Sequence, residues 1–575
     1  MRFHKSTLSI VLLALVAAAT GVVAAPLRPQ FVPGLTTYAT ATATATATAP
    51  LHIDSGAEAV PGGYMVVLKD GTSLPEFLAH RSLVQNAQRA ASAALRTQGG
   101  SDATGDEHGV RHVFELGDHL QGYAGQFTPD VLAFIRAQPE VAFVEQDSVV
   151  HTTMIPQGNE RVYDVPETQT FAAGAAPEAA LPWPGRHTHD VEKGAPWGLA
   201  RISHRPSLSL GTFNKYVYED QGGEGVTAYV IDTGINVKHD EFEGRAKWGK
   251  TIPYADEDKD GHGHGTHCAG TIGSATYGVA KKAELVAVKV LGSGGSGSMS
   301  DVTAGVLWAV SDAKARTEQM LANPHSAAAR RHKGFVANMS LGGGRSPTLN
   351  RAVNGAVANG LHFAVAAGNE DQDACDVSPA GAKNPVTVGA STIGDERAYF
   401  SNKGKCVDVF APGLNILSTW NTGHRSVNTI SGTSMATPHI VGLLAYLLSI
   451  YGTEDFVAMP DATPMRFGPS AALAAERAVR GTLRRALAST IDALGTVLPL
   501  GNSAARSGLY RLESLNQWLA APDASAHDVE SVLAPRDLKR ALVRLATGGA
   551  LQGLDSETPN KLAFNNATHL SLIHI

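Results

Sequence analysis

The amino-acid sequence predicts an α/β fold: a doubly wound, mostly parallel sheet with helices on both faces, preceded by a smaller α+β module. Three observations lead there. From about Ala195, short apolar runs alternate with helical stretches: "VTAYVID", "AELVAVKVL", "FVANMSLGG", "LHFAVAAGN", "NPVTVGAS" and "CVDVFAPG". Within these runs polar and apolar residues do not alternate, which suits central parallel strands covered on both faces. Upstream, residues 62–150 carry a separate strand-and-helix pattern, set off by sequence rich in Pro, Ala and Gly.

The elements follow in chain order. Residues 1–25, "MRFHKSTLSIVLLALVAAATGVVAA", place Arg2 and Lys5 before an apolar run that ends in small residues. That is the layout of a cleavable secretory signal. Its apolar core, Leu8 to Ala19, is short for a membrane span, and no later segment reads as long and apolar enough to span a bilayer. Residues 26–61, with "YATATATATATAP", read as a low-complexity linker. Within 62–150, "GGYMVVLKDG" reads as a strand and turn, and "GYAGQFTPDVLAFIRAQPEVAFVEQD" as strand, helix, strand. Thr128 is placed to cap that helix, Pro129 suits its first turn, and Pro139 follows its end.

Residues 151–194 lack periodicity and read as an exposed linker open to proteolysis. The larger domain spans 195–452. Residues 453–530, including "SAALAAERAVRGTLRRALASTIDALGTVL", read as a helical insertion without chemistry of its own. In 531–568, "APRDLKRALVRLAT" and "TPNKLAFNN" return as a helix and a strand, and 569–575 is a tail that continues no pattern.

Composition bounds the partners. With 47 basic and 53 acidic residues and a formal charge of −6, the 575-residue chain shows no footprint of nucleic-acid binding or of a polybasic membrane contact. Three cysteines leave at least one thiol over. Cys375 and Cys406, both in loop-like sequence near strands, are the favoured pair; three free thiols are the alternative.

Sheets of this class build their sites at the carboxyl ends of strands. Asp232 ends the apolar run "VTAYVID", where a partly buried carboxylate needs a partner. "DGHGHGTHCAG" packs His262, His264 and His267 at the start of a helix. A three-histidine metal site is one reading of it, but no carboxylate follows at ligand spacing and no His-Glu-x-x-His helix is present. Ser434 stands between a Gly-containing turn and a long apolar helix, where its hydroxyl meets the helix dipole and its N–H lacks an intrahelical partner. Each residue alone has an ordinary structural explanation. Together, Asp, His and Ser in this order supply an orienter, a base and a nucleophile. Asn369, after the run "AVAAG", adds a side-chain donor for an oxyanion.

These residues resemble the subtilisin-like serine proteases, in particular the proteinase K branch and within it the cerevisin group of fungal vacuolar enzymes. "YVIDTGIN", "DGHGHGTHCAGTI", "NMSLGGG", "AVAAGNE" and "SGTSMATPH" carry the likeness. The resemblance implies a serine endopeptidase acting on proteins and peptides, with Asp232, His264 and Ser434 catalytic, Asn369 at the oxyanion and no cofactor required for chemistry. His267 matches a structural histidine. His262 stands where the family has Asn and is expected to be exposed. Ser340, Leu341, Gly342 and Gly343 would pair with the substrate backbone, as would the segment around Gly292–Gly295 opposite. Ala366, Ala367 and Gly368 would line a primary pocket with an aromatic or aliphatic lean. Cys375–Cys406 matches a disulfide, and Cys268 a free thiol.

Asp408 matches the carboxylate that holds a structural calcium together with backbone carbonyls, although the loop "GAKNPVT" differs. Residues 62–150 resemble the inhibitor-type propeptide, a small ferredoxin-like domain whose tail, near "VEQDSVVH", would lie in the cleft. Autocleavage is then expected near Val150 or in the following linker. "NAT" at Asn566 is a glycan acceptor, whereas "NMS" at Asn338 adjoins the substrate strand and is expected to stay unmodified. The expected protein is a monomer, delivered to the vacuole, with secretion as the alternative.

Overall fold

A computed structural model describes residues 48–97, 109–155, 162–164, 189–451, 456–457, 464–465, 532–567 and 573–574. The expected signal and the alanine–threonine repeat up to residue 47 lie outside the described residues. So does the 453–530 insertion apart from two residue pairs, and most of the tail. All described residues belong to one unit, Thr48–Ile575.

The upstream module runs β1 (Leu51–His52), β2 (Ala59–Leu68), α1 (Leu74–Thr97), β3 (Gly109–Glu115), β4 (Gln121–Gln126), α2 (Pro129–Arg136) and β5 (Val141–Thr152). Its sheet has the order β1-β5-β2-β4-β3, and the four strands from β2 onward are antiparallel. With one helix after β2 and one after β4, this is the ferredoxin-like arrangement. The order extends beyond the expected edges: Ala49 is buried, β1 pairs with β5, and β5 continues to Thr152. Pro129 opens α2 as expected. Thr128 sits at the N-cap, but its side chain makes no cap bond.

The larger domain has nine parallel or edge strands among the described residues. In chain order they are β6 (Val226–Asp232), β7 (Ala246–Thr251), β8 (Glu284–Lys289), β10 (Gly334–Met339), β12 (His362–Ala366), β13 (Val386–Ser391), β14 (Val409–Pro412), β17 (Thr547–Gly548) and β18 (Lys561–Leu562). They lie in the order β7-β8-β6-β10-β12-β13-β14-β18-β17, all parallel except β17. Two short strands, β9 (Ser296–Ser298) and β11 (Leu341–Gly342), join β5 instead. β15 (Ile416–Thr419) and β16 (Ser426–Ile430) form a hairpin.

The period of two along the strands divides the core between two layers of helices. Ala228 and Val230 of β6 join the cluster built on α3 (His264–Gly273), α6 (Thr433–Ile450) and α7 (Pro535–Leu545). Tyr229 and Ile231 join the cluster of α4 (Met299–Ala322) and α5 (Pro347–Ala358). Met65, Phe114, Leu116 and Leu120 of the upstream module enter that second cluster, so its sheet packs on α4 and α5.

Helix α6 corrects one expectation. It is long and apolar enough to cross a bilayer by length and composition. Here it is the central core helix, with Leu443, Leu444 and Leu447 at most 1% exposed. Each such side chain contributes roughly 1.5–3 kcal/mol by leaving water, which explains its uniform apolarity without a membrane. Cys375 and Cys406 form a disulfide with Cα atoms 5.3 Å apart, and Cys268 is free and buried. Asn338 is fully buried and bonded to Ser340, consistent with an unmodified residue, whereas Asn566 is partly exposed.

Candidate active site

Asp232 is the last residue of β6, between β8 and β10 in the middle of the sheet. His264 is the first residue of α3, which starts directly beyond that strand end. The two elements can approach because of glycine. A Cβ on Gly265 would lie 2.1 Å from the Gly234 carbonyl oxygen, and Gly263, at φ 108°, leaves room for the Trp420 ring. His264 Nδ1 then lies 2.7 Å from Asp232 Oδ1, both side chains fully buried. Burial disfavours the imidazolium, but the Asp232 carboxylate outweighs it and holds His264 well above the ordinary histidine value. Cys268 lies 3.9 Å from the same nitrogen, and burial pushes its thiol up, so it packs as a neutral group.

Sequence reading overlooked Asp260. Its Oδ1 accepts from the Thr233 hydroxyl (2.9 Å) and from the His262 and Gly263 N–H groups (3.0 and 2.8 Å). Its Oδ2 accepts from the Thr266 N–H and hydroxyl (3.0 and 2.5 Å). One buried carboxylate thus ties the turn after Asp232 to the first turn of α3, and fixes the separation of Asp232 and His264. An acidic residue just before a predicted helix start is the signal that could have found it.

Ser434 is the second residue of α6. Its hydroxyl lies 2.6 Å from the Thr153 carbonyl oxygen, 2.5 Å from the Thr153 hydroxyl and 3.0 Å from the Ser340 carbonyl oxygen. The Asn369 amide Nδ2 donates to the same Thr153 carbonyl oxygen at 2.5 Å, while its Oδ1 accepts from the Thr433 N–H and hydroxyl. Nε2 of His264 is buried and has no hydrogen-bond partner among the described residues. Ser434 and Asn369 therefore meet at one peptide group of the chain itself, and Cys268 lies between them and the Asp232–His264 pair, its Sγ 3.9 Å from His264 Nδ1 and 3.5 Å from the Ser434 carbonyl oxygen.

The strand that brings Thr153 there is the end of β5. His151, Val150 and Val149 pair antiparallel with β9, and Thr152 and His151 with β11. Within the segment Gly292–Gly295, Gly292 closes the turn by bonding Ser296, and Gly295 accepts from Thr152 N–H at 2.9 Å, with the pairing continued by β9. On the other side, Leu341 and Gly342 pair with β5, Ser340 bonds the Ser434 carbonyl and Gly343 bridges Ser378. Ala366 and Ala367 are buried at the end of β12, and Gly368 N–H bonds the Thr433 hydroxyl. Val150 is fully buried near Met299 and Gly343, a second apolar contact that the sequence did not suggest.

Two carboxylates anchor β5 further back. Glu145 accepts from the Thr348 N–H and hydroxyl (3.0 and 2.6 Å) at the start of α5. Asp147 accepts from the Ser300 N–H and hydroxyl (3.0 and 2.5 Å) at the start of α4. Both lie at helix N-termini, where negative charge is favoured. Burial pushes both carboxyls up, against the lowering by these hydrogen bonds.

The histidine cluster separates by role. His267 Nε2 bonds the Ile416 carbonyl at 2.9 Å, and burial pushes this ring down to about 3, so it is a neutral structural group. His262 is half-buried, not exposed: its ring packs on the His264 ring and against Gly295. Among the described residues the three histidines do not converge as ligands; the one metal-capable group is Asp232, His264 and Cys268, the site itself. Asp408, the expected calcium ligand, is paired with a side chain of the returning helix α7. Its Oδ2 is 2.7 Å from the Lys539 ammonium, which stands where a bound cation would be held.

The sequence is similar to that of known proteins. The model of the Subtilase family matches residues 223–494, and that of Peptidase inhibitor I9 matches residues 63–153. "Alkaline protease 2" of Aspergillus fumigatus is 51% identical over 421 residues, spanning 72% of this chain and 78% of its own. "Subtilisin-like serine protease Pen c 2" of Penicillium citrinum is 45% identical over 520 residues, 90% of each chain. The solved structure of "a cold adapted subtilisin-like serine proteinase" is 34% identical, with a TM-score of 0.43, covering 65% of this chain and 99% of that one.

Proposed function

We propose that this chain, which belongs to the subtilase family of serine peptidases, is a proenzyme that first cleaves its own Thr153–Met154 bond and then other proteins. The observation that carries this reading is the Thr153 carbonyl oxygen, 2.5 Å from Asn369 Nδ2 and 2.6 Å from Ser434 Oγ.

A serine hydroxyl is too weak an acid to attack an amide alone. Rotation about the Ser434 Cα–Cβ bond brings Oγ to His264 Nε2, which takes the proton as Oγ adds to the Thr153 carbonyl carbon. Asp232 holds the ring through Nδ1–H and stabilises the imidazolium. The oxyanion that forms receives the Asn369 amide and the Ser434 N–H. Collapse breaks the Thr153–Met154 bond, His264 returns its proton to the Met154 amine, and water releases Thr153 by the same path. Substrates follow β5: main-chain pairing to β9 and β11 holds an extended peptide, and apolar side chains fill the places of Val150 and of the pocket at Ala366, Ala367 and Gly368.

The N-terminal pattern supports entry to the secretory pathway. The cerevisin resemblance favours the vacuole, and cell fractionation against culture medium separates this from secretion. The mechanism is tested by sequencing the N-terminus of the first processing product. Met154 is expected as its first residue, with full-length precursor persisting in a Ser434→Ala variant. Autonomous processing of that variant, or a first cut elsewhere, would refute the assignment.

A further inference from the structure

Helix α7 lays Leu538, Leu542 and Leu545 in the core cluster of α6. Lys539 of the same helix reaches a different place. Its Nζ donates to Asp408 Oδ2 (2.7 Å), to the Pro385 carbonyl (2.6 Å) and to the Lys383 carbonyl (3.3 Å). One carboxylate and two main-chain carbonyls are hard oxygen donors, the class that suits Ca²⁺. They include the residue, Asp408, for which the family resemblance implies calcium. An ammonium and a divalent ion cannot share these oxygens, because both need the same lone pairs and repel each other at contact distance.

We propose that the Lys539 ammonium is the resident cation of this oxygen cage, so that the segment it holds is fixed without calcium. The charge count is favourable: one carboxylate meets one ammonium, whereas Ca²⁺ would leave an excess positive charge. The segment matters to the site. Asp408 Oδ2 also accepts from Thr387 N–H at 2.9 Å, and the Thr387 hydroxyl donates to the Ala380 carbonyl at 2.9 Å. Ala380 packs in one apolar cluster with Ala367, beside Cys406. The cage therefore sits one layer behind the end of β12. Lys539 does in one side chain what a bound ion would do with several ligands, and it is already part of the fold.

The test uses the full chain carrying Ser434→Ala, so that autolysis does not distort melting. Tm is measured in excess EGTA and in millimolar CaCl₂. Lys539→Met, which keeps length and removes charge, should lower Tm in EGTA by about 3–6 °C. Calcium should restore part of that loss by entering the vacated cage, and adding Asp408→Asn should abolish the restoration. In the chain that keeps Lys539, any response to calcium should be the same with and without Asp408→Asn. A calcium response that Asp408→Asn removes while Lys539 is present would overturn the proposal. So would an unchanged Tm for Lys539→Met, or a lowered Tm that calcium does not raise. The comparison in the chain that keeps Lys539 decides the matter even if Lys539→Met fails to fold.

Discussion

The two sides of Thr153 are held very differently. On the amino-terminal side, residues 149–152 lie between β9 and β11 as the middle strand of a sheet, and Glu145 and Asp147 cap two helices behind it. On the carboxyl-terminal side, the strand pairing among described residues is an isolated bridge from Ile155 to Ser431 and the pair Tyr163–Asp164 on β16, with Met154 and Ile155 partly buried against the α3–α6 cluster. Before cleavage the two halves are one chain, and the weak side is held in place by the strong one. After cleavage they part by their own contacts. On the proposed cut the amino-terminal product would stay as an inhibitor, while the new amino-terminal segment from Met154 would move out of the cleft. The difference shows how one segment can serve as substrate once and as inhibitor afterwards.

The largest expected effect comes from the point where the halves meet. Asn369→Ala removes the side-chain donor to the Thr153 carbonyl, and precursor processing should slow by about a hundred- to a thousand-fold. A loss below about tenfold, read from the decay of full-length chain, would mean that Thr153 is docked but is not the reacting carbonyl. Next is pH. His264 must be neutral to accept a proton, and Asp232 holds it well above its ordinary value against the opposing effect of burial. The processing rate should therefore fall about tenfold per unit on the acid side of a midpoint above about 6.5. A midpoint below that value would break the His264–Asp232 assignment.

Asp147 sharpens the strong side. Asp147→Ala orphans the Ser300 N–H in a buried place, at about 1–2 kcal/mol, so the lag between processing and full activity should shorten roughly five- to thirty-fold. The raised carboxyl sets a sign. A group whose value is higher in the complex than in the free propeptide takes up a proton on binding. Its contribution is complete below the ordinary carboxylate range and is lost as pH rises through the raised value. Acidification thus tightens this contact. For the same reason Asp147→Asn, an uncharged acceptor, should cost much less than Asp147→Ala; equal costs would contradict the raised value.

Much of this site was legible in the sequence, and the parts that were not share a cause. The strand ends at Asp232 and Asn369 and the helix starts at His264 and Ser434 follow from apolar runs and turn residues, which act locally. Asp260 was overlooked because three of its five donors are main-chain N–H groups, which leave no signature in residue type, and its place before a helix start was the one local signal. Lys539 was invisible as a partner of Asp408 because a long stretch of chain separates them and only the returning helix brings them together. His262 was misjudged because its burial depends on Gly295, a neighbour supplied by another loop. The segment Gly292–Gly295 could be named only as a whole, since glycine-rich sequence fixes pairing poorly, and it is its Gly295 end that meets β5. Helix α1 escaped notice because its sequence is rich in alanine and polar residues.

The smallest effects test the asymmetry most directly, because they compare like with like. Val150 and Ile155 are both branched aliphatic residues, three positions before Thr153 and two after it. Val150 is fully buried, whereas Ile155 is only partly buried at the edge of the α3–α6 cluster. Val150→Ala removes two buried methyl groups, about 1.5–2 kcal/mol at 0.8 per carbon, so the lag before full activity should shorten roughly tenfold. Ile155→Ala removes more carbon from a wetter place and keeps the N–H that bonds the Ser431 carbonyl. Its effect on the same lag should stay within about threefold, because the segment it belongs to has already left once the bond is cut. If Ile155→Ala matches or exceeds Val150→Ala, the new amino-terminal segment from Met154 must also occupy the cleft after cleavage. Release would then depend on the linker as well as on the propeptide.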